Sequence, residues 1–190
     1  MKKASKRGKN RPASGIRAGL LAWYQEKRPI IRFVCLFGLF MGIFHALLLI
    51  PAVDRAMYDY LAANAWISHA LLNLFGFGTV LNQTQISSGD FSIVVRRGCD
   101  AVEPAALFAS AVLAFPAPWE KKALGIVAGS LVLLAVNILR IVSLFWVGIV
   151  ARPLFAKAHL EIWPLLFILA AFALCAAWIR WVNGNAKWGM

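Results

Sequence analysis

Long runs of apolar residues alternate with short polar segments along this chain. The runs cover residues 30–50, 101–115, 123–150 and 165–181. A helix of about 20 apolar residues is long enough to cross the hydrocarbon core of a membrane. The second run is shorter, roughly 20–25 Å at about 1.5 Å per residue, and calls for a locally thinner bilayer. The pattern predicts an all-α polytopic membrane protein with four transmembrane helices.

The segment between the first two apolar runs has a different pattern. Polar residues interrupt residues 54–75 but leave one apolar face, which indicates an amphipathic helix in the outer interface rather than a further span. Residues 79–96 alternate between apolar and polar positions around Ser87-Ser88-Gly89-Asp90, which indicates a short β-hairpin. Because open sheet edges do not occur in lipid, we expect an extracytoplasmic hairpin.

The charge distribution predicts the orientation. The chain is 61% hydrophobic, its formal net charge is +12, and half of its 20 lysine and arginine residues precede residue 33. A basic tail directly before an apolar helix indicates an uncleaved cytoplasmic anchor near anionic lipid, rather than a nucleic-acid site. We therefore expect a disordered cytoplasmic tail at 1–29 that leads into an interfacial segment. A single membrane domain at 30–183 and a short cytoplasmic tail at 184–190 would follow it.

The most unusual cysteine lies between the predicted hairpin and the second apolar run. This is Cys99, whereas Cys35 and Cys175 lie in predicted spans nearer the cytoplasm, too far away for an internal disulfide. A thiol at a helix N-terminus beside Arg96 and Arg97 is expected to have a lowered pKa and to act as a nucleophile, although nearby carboxylates oppose this effect. The alternative is a small buried residue without a chemical role.

An arginine interrupts the third apolar run. Arg140 lies about 28 Å along its helix from the cytoplasmic loop, at the expected depth of Cys99, and Asn137 shares its helical face. A buried arginine can stabilise a developing oxyanion. It can also pair structurally with Glu103 or Asp100, and the sequence leaves both interpretations open.

A histidine completes the set of chemically useful residues. His159 follows the helix that carries Arg140, in a predicted polar outer loop. It suits a general acid–base, with His45 and His69 as possible alternatives. No metal-binding pattern such as Cys-x-x-Cys or His-Glu-x-x-His occurs, so we expect no metal and no cofactor.

Three motifs occur in an order that resembles the exosortase/archaeosortase family of membrane cysteine transpeptidases. They are Gly98-Cys99 at a helix start, Asn137-Ile138-Leu139-Arg140-Ile141 late in the next span, and His159 before the last span. The resemblance covers roughly residues 33–180. The compact length, with Gly-Cys-Asp-Ala-Val-Glu in place of Cys-Ser-Gly, looks most like the small exosortase H branch.

The resemblance implies a division of roles. Cys99 would be the nucleophile, Arg140 would stabilise the transition state, and His159 would exchange protons. The candidate substrate-binding or supporting residues beside them are Arg97, Glu103 and Asn137.

The resemblance also implies a location and a substrate class. The protein would lie in the bacterial inner (cytoplasmic) membrane, with both termini cytoplasmic and its active site facing the periplasm. Its partners, besides membrane lipid, would be secreted proteins with a C-terminal sorting signal: a short recognition motif, an apolar helix and a basic tail. Cleavage at the outer face would be followed by transfer to an acceptor.

The main competing hypothesis is a non-enzymatic protein. In a small transporter or assembly subunit, Arg140 and Glu103 would form an intramembrane pair. A soluble-facing hydrolase is disfavoured, because no Gly-x-Ser-x-Gly motif occurs. Loss of substrate processing in Cys99→Ala would distinguish the enzyme from the transporter.

Overall fold

The computed structural model of the protein describes residues 14–184. Six α-helices and three short strands follow one another along this part of the chain. The helices are α1 Ser14–Leu47, α2 Pro51–Leu74, α3 Val102–Ala114, α4 Trp119–Val150, α5 Arg152–Lys157 and α6 Trp163–Gly184. The strands are β1 Val80–Asn82, β2 Gln85–Ser88 and β3 Phe91–Val94. The predicted tails fall outside the described residues at 1–13 and 185–190.

Helix α1 begins earlier than the apolar pattern predicts. The expected start was residue 30, with an unstructured tail before it, and the helix instead begins at Ser14. Pro29 lies inside the helix and removes one backbone hydrogen bond without ending it. The prediction of an unstructured tail is therefore wrong from Ser14 onward. The cytoplasmic location of this segment stays a prediction.

Within residues 14–184, three helical segments are long and apolar enough to cross a membrane. They are Trp23–Leu47, Trp119–Val150 and Arg152–Gly184, with 25, 32 and 33 residues. Helix α3 is apolar but has only 13 residues, which is about 20 Å. Length and composition thus support three of the four predicted spans, and the polytopic architecture holds.

Helix α2 confirms the helix predicted for residues 54–75. Its buried side chains include Leu61, Ala65, Ser68 and Leu72, a spacing that places them on one face. This face packs against α4 and the sheet, whereas Trp66 is exposed. The helix is not among the segments apolar enough to span a membrane. Its interfacial position stays a prediction.

The predicted hairpin is part of a three-stranded antiparallel sheet, so the expectation of two strands is wrong. The strand order is β1-β2-β3, and the turn at Gly89 was anticipated. The additional strand β1 joins through a second tight turn, where Gln83 has a positive φ of 55°. Ile86 and Ile93 face each other across β2 and β3 and pack against Phe145 of α4.

The last part of the chain is helical where a polar loop was expected. Helix α5 continues through a π-helical turn, Ala158–Ile162, directly into α6. A π turn adds one residue to the helical repeat and shifts the side chains that follow it. The turn carries His159, so this histidine is presented by a helix rather than by a loop.

Candidate active site

A short loop between β3 and α3 presents the thiol of Cys99. The loop reverses at Gly98, whose φ of +83° is in the left-handed region that favours glycine. The Cys99 N–H donates to the carbonyl of Arg96 at 2.9 Å, which closes a tight turn. Helix α3 starts immediately afterwards, with the Val102 N–H donating to Asp100 Oδ1 at 3.2 Å.

Helix α2 holds this loop at two points. The Tyr60 hydroxyl donates to the backbone carbonyl of Asp100 at 2.7 Å. Arg97 forms an ion pair with Asp54 at the start of the same helix. Both contacts join residues far apart in sequence, so the position of Cys99 depends on the packing of α2.

The structure brings together Cys99, Arg140 and His159, the three residues that were predicted from the sequence to be catalytic. The Sγ atom of Cys99 lies 3.7 Å from Nε2 of His159. The same sulfur lies 3.7 Å from Nη2 of Arg140. A thiol, an imidazole nitrogen and a guanidinium nitrogen therefore meet at one point, contributed by a loop, a π turn and a long helix.

Arg140 is buried and has no carboxylate partner in the part of the chain that the structure describes. Its side chain is only 5% exposed, and Nη1 donates to the carbonyl of Gly98 at 3.4 Å. The guanidinium lies 5.5 Å from the ring centroid of Phe167, a favourable cation–π distance. Among residues 14–184 it forms no ion pair with Glu103 or Asp100, so the pair assumed by the transporter hypothesis is not formed.

The imidazole of His159 is positioned by stacking. Its ring lies parallel to that of Phe155, with the centroids 5.7 Å apart and an interplanar angle of 4°. Nδ1 is buried and has no hydrogen-bond partner in the described part of the chain. A carboxylate therefore does not orient this histidine, and the geometry of Nε2 depends on the π turn and on Phe155.

The pKa of Cys99 differs in direction from the sequence-based expectation. Burial of the thiol is the largest effect and raises its pKa, and the charge of Asp100 adds to this increase. Arg140 and Arg96 lower the pKa but do not outweigh burial. The expectation of a lowered pKa is therefore wrong, because it counted the cations and omitted desolvation. A mostly protonated thiol needs a base, and Nε2 of His159 is within reach.

The three candidate supporting residues have different surroundings. Arg97 is exposed and pairs with Asp54. Glu103 is exposed in the first turn of α3. Asn137 is fully buried, and its Nδ2 donates to Oδ1 of Asn64 at 3.0 Å. None of these three makes a hydrogen bond to Cys99 or His159 within the described chain.

A polar network behind the site was not predicted from the sequence. Asn64 Nδ2 donates to the Tyr60 carbonyl at 2.8 Å, and the Tyr60 hydroxyl in turn holds the loop of Cys99. Tyr60, Asn64 and Ser68 recur every four residues, which places them on one helical face. That spacing was visible in the sequence and could have indicated a polar stripe on α2, but not the residues that the stripe contacts.

Two cavities meet at Arg140. The first has a volume of about 620 Å³, and its lining includes β3, Cys99, Arg140, Phe155 and His159. The second has a volume of about 380 Å³ and lies between α1, the start of α3, and α6, with mostly apolar walls. Arg140 lines both.

Within residues 14–184, no group of three or more histidine, cysteine, aspartate or glutamate side chains is arranged to hold a metal ion.

One comparison with known proteins gave a match. The family model described as "Transmembrane exosortase (Exosortase_EpsH)" matches residues 13–153, well over half of the 190-residue chain. The matched segment contains Cys99 and Arg140, and it ends before His159. No curated protein and no solved structure matches the chain.

Proposed function

Because the chain belongs to the transmembrane exosortase family, we propose that it is a membrane cysteine transpeptidase that cuts and transfers secreted proteins. The observation that carries this proposal is the meeting of Cys99, His159 and Arg140, with the two nitrogens each 3.7 Å from Sγ. A nucleophile beside a base and a fixed cation is the arrangement that acyl transfer requires.

The first half of the reaction forms a thioester. His159 Nε2 accepts the thiol proton while Sγ of Cys99 attacks the carbonyl carbon of the scissile amide. The carbonyl oxygen gains the negative charge, which the guanidinium of Arg140 stabilises. The intermediate then collapses, the C–N bond breaks, and the departing amine takes the proton from His159.

The second half restores the enzyme. A nucleophile on the acceptor loses its proton to His159 and attacks the thioester carbonyl. The C–S bond breaks and Cys99 regains its proton. With water as the acceptor the outcome is hydrolysis, and with another nucleophile it is transfer, so the chemistry of this chain serves both.

The proposed substrate is a secreted protein with a C-terminal sorting signal: a short motif, an apolar helix and a basic tail. The second cavity supports this proposal, since its walls of α1, α3 and α6 are mostly apolar and it adjoins Arg140. The apolar helix of the substrate would lie along this cavity, and the motif that precedes it would lie at Cys99. The basic tail would remain on the cytoplasmic side.

We propose that the thiol faces the periplasm of a bacterium, with both termini in the cytoplasm. The concentration of basic residues before residue 33 supports this orientation. In a chain whose three native cysteines have been replaced, a single cysteine placed at Gly89 should react with a membrane-impermeant reagent in intact cells. A cysteine in the loop at Ala117 should react only after permeabilisation. The reverse pattern would contradict the orientation.

The test of activity is processing of a tailed secreted protein co-expressed with the enzyme. Cys99→Ala should leave the substrate at full length, whereas Cys175→Ala should process it normally, because the structure places Cys175 in α6 away from the first cavity. Membrane abundance of both variants should match that of the wild type. Processing that continues in Cys99→Ala would overturn the proposed function.

A further inference from the structure

Strand β3 has a free edge. Among residues 14–184 it is the last strand of the sheet, and it pairs only with β2. Ser88 and Phe91 pair across a two-residue turn, and such a pair exchanges its hydrogen bonds across the hairpin. Because hydrogen-bonded and non-bonded pairs alternate, the backbones of Ser92 and Val94 point away from β2. The backbone of Val95 agrees with this register, because its N–H points toward β2 and donates to the carbonyl of Thr84 at 2.9 Å.

Two N–H donors and two C=O acceptors of the β3 backbone point away from β2. Within residues 14–184, the N–H and C=O groups of Ser92 and Val94 have no backbone partner outside their own hairpin. The side chains of both residues are exposed. Proteins usually protect such an edge with a bulge, a proline, a charge or a covering segment. Here the edge lines the first cavity, which also contains the thiol.

We propose that the residues preceding the scissile bond of the substrate pair with the free edge of β3 as a fourth strand. This inference rests on the proposed function and assigns its substrate-binding surface. The occupant is an extended peptide backbone, since an alternating row of N–H and C=O groups is complementary to another strand. Side-chain recognition would be limited to alternate positions, which face the walls of the cavity.

The direction of the added strand follows from the position of the thiol. Strand β3 runs toward the loop that carries Cys99. A substrate that enters along β3 and reaches Cys99 with its scissile carbonyl runs the same way, so the pairing is parallel. A segment of four residues spans about 13 Å at about 3.3 Å per residue. This segment would lie between the β3 edge and the apolar side chains Ile141 and Leu144.

Disulfide cross-linking tests the pairing directly. Single cysteines are placed at Ser92 or Val94 in a chain in which all three native cysteines are alanine, so that uncleaved substrate is retained. One cysteine at a time is placed in the substrate before its scissile bond. Val80→Cys is the matched control, because Val80 lies on the same sheet face at the opposite edge.

The expected result is a two-residue period. Each enzyme cysteine should cross-link best with one substrate position, and the two positions should lie two residues apart. Val94→Cys should reach the position nearer the scissile bond, and Val80→Cys should give no cross-link. No cross-link at β3, no such spacing, or the reverse order would overturn the inference.

A proline substitution tests the contribution of one hydrogen bond. Val94→Pro removes an outward N–H without removing a hydrogen bond of the native sheet, and edge strands tolerate proline. Val94→Ala shortens the same side chain but keeps the N–H. We expect Val94→Pro to process substrate about tenfold more slowly than Val94→Ala, the upper range for one lost hydrogen bond. A small thiol reagent, which needs no strand pairing, should label Cys99 equally in both.

The two hypotheses fail in different ways. If the wild-type protein processes no tailed substrate, the proposed function is wrong, and this inference falls with it. If the wild type processes substrate but Val94→Pro equals Val94→Ala, the inference alone is wrong. If Val94→Pro does not accumulate in the membrane, the cross-linking pattern alone decides whether the substrate pairs with β3.

Discussion

Replacing Arg140 with lysine separates the proposed catalytic role of this residue from a structural one. Arginine presents a planar fork, whereas lysine places its charge on one nitrogen. In the structure the fork reaches two targets, since Nη1 lies 3.4 Å from the Gly98 carbonyl and Nη2 lies 3.7 Å from Cys99 Sγ. One ammonium nitrogen cannot occupy both positions. Arg140→Lys therefore keeps the charge and loses the geometry.

The expected magnitude follows from these contacts. Among the described residues no carboxylate pairs with Arg140, so Arg140→Lys leaves no buried acid without a counter-ion. We expect the variant to accumulate normally. Loss of one directed donor to an oxyanion lowers kcat by about 10²–10³-fold, equivalent to about 2.7–4 kcal/mol of transition-state stabilisation. Processing of the tailed substrate should decrease on this scale.

The assay is the ratio of processed to unprocessed substrate, normalised to the amount of enzyme in the membrane. Arg55→Lys is the matched control, because Arg55 is exposed on α2 and does not line the cavity that contains Cys99. It should process substrate like the wild type. Near-wild-type processing by Arg140→Lys would refute the reasoning and would leave a site of Cys99 and His159 alone.

Three further predictions concern the thiol, the network behind it and the loop that holds it. Because burial raises the pKa of Cys99, its thiolate fraction should still be rising above the ordinary thiol pKa of about 8.5. Labelling by a small thiol reagent at graded pH should show this rise, and a plateau below pH 8 would contradict it. Asn64→Leu leaves the buried amide of Asn137 without its partner. The free energy of unfolding, measured by thermal unfolding in detergent, should therefore decrease by about 1–3 kcal/mol. Adding Asn137→Leu should recover part of that stability. If the destabilisation of the double variant equals the sum of the two single effects, the pairing of Asn64 with Asn137 is contradicted. Gly98→Ala strains a residue at φ +83° by about 1–2 kcal/mol and should impair processing. Gly76→Ala, at the same φ away from the site, controls for strain alone, and equal effects on processing would count against a specific role for the loop.

The apolar pattern predicted the helices well because burial and hydropathy determine them locally. Helix α4 was expected at 123–150 and occurs at Trp119–Val150. Its position relative to the other helices could not be deduced from periodicity alone. Close packing depends on single residues such as Gly129, where an added Cβ would clash with Phe108, and Gly148, where it would clash with Phe91. The sequence shows each glycine but not the aromatic ring that fills the space beside it.

The candidate site was predictable in part for a related reason. Helical rise alone placed Arg140 at the depth of the loop before α3, and in the structure its Nη2 contacts Cys99. The role of α2 was not predictable, because Tyr60 and Asn64 act through the backbone of Asp100 and the side chain of Asn137. Such pairings join segments that only the tertiary fold brings together.

The surroundings of Arg140 support an anion that forms only during a reaction. Removing a cation from water is costly, and a protein usually offsets the cost with a carboxylate. Here the guanidinium is offset by one carbonyl and one aromatic ring, and its Nε is buried without a partner in the described chain. A permanent anion would make Arg140 a structural counter-ion and would occupy its donors. Donors that remain unpaired beside a thiol and an imidazole fit a charge that develops on the substrate carbonyl and disappears when the intermediate collapses.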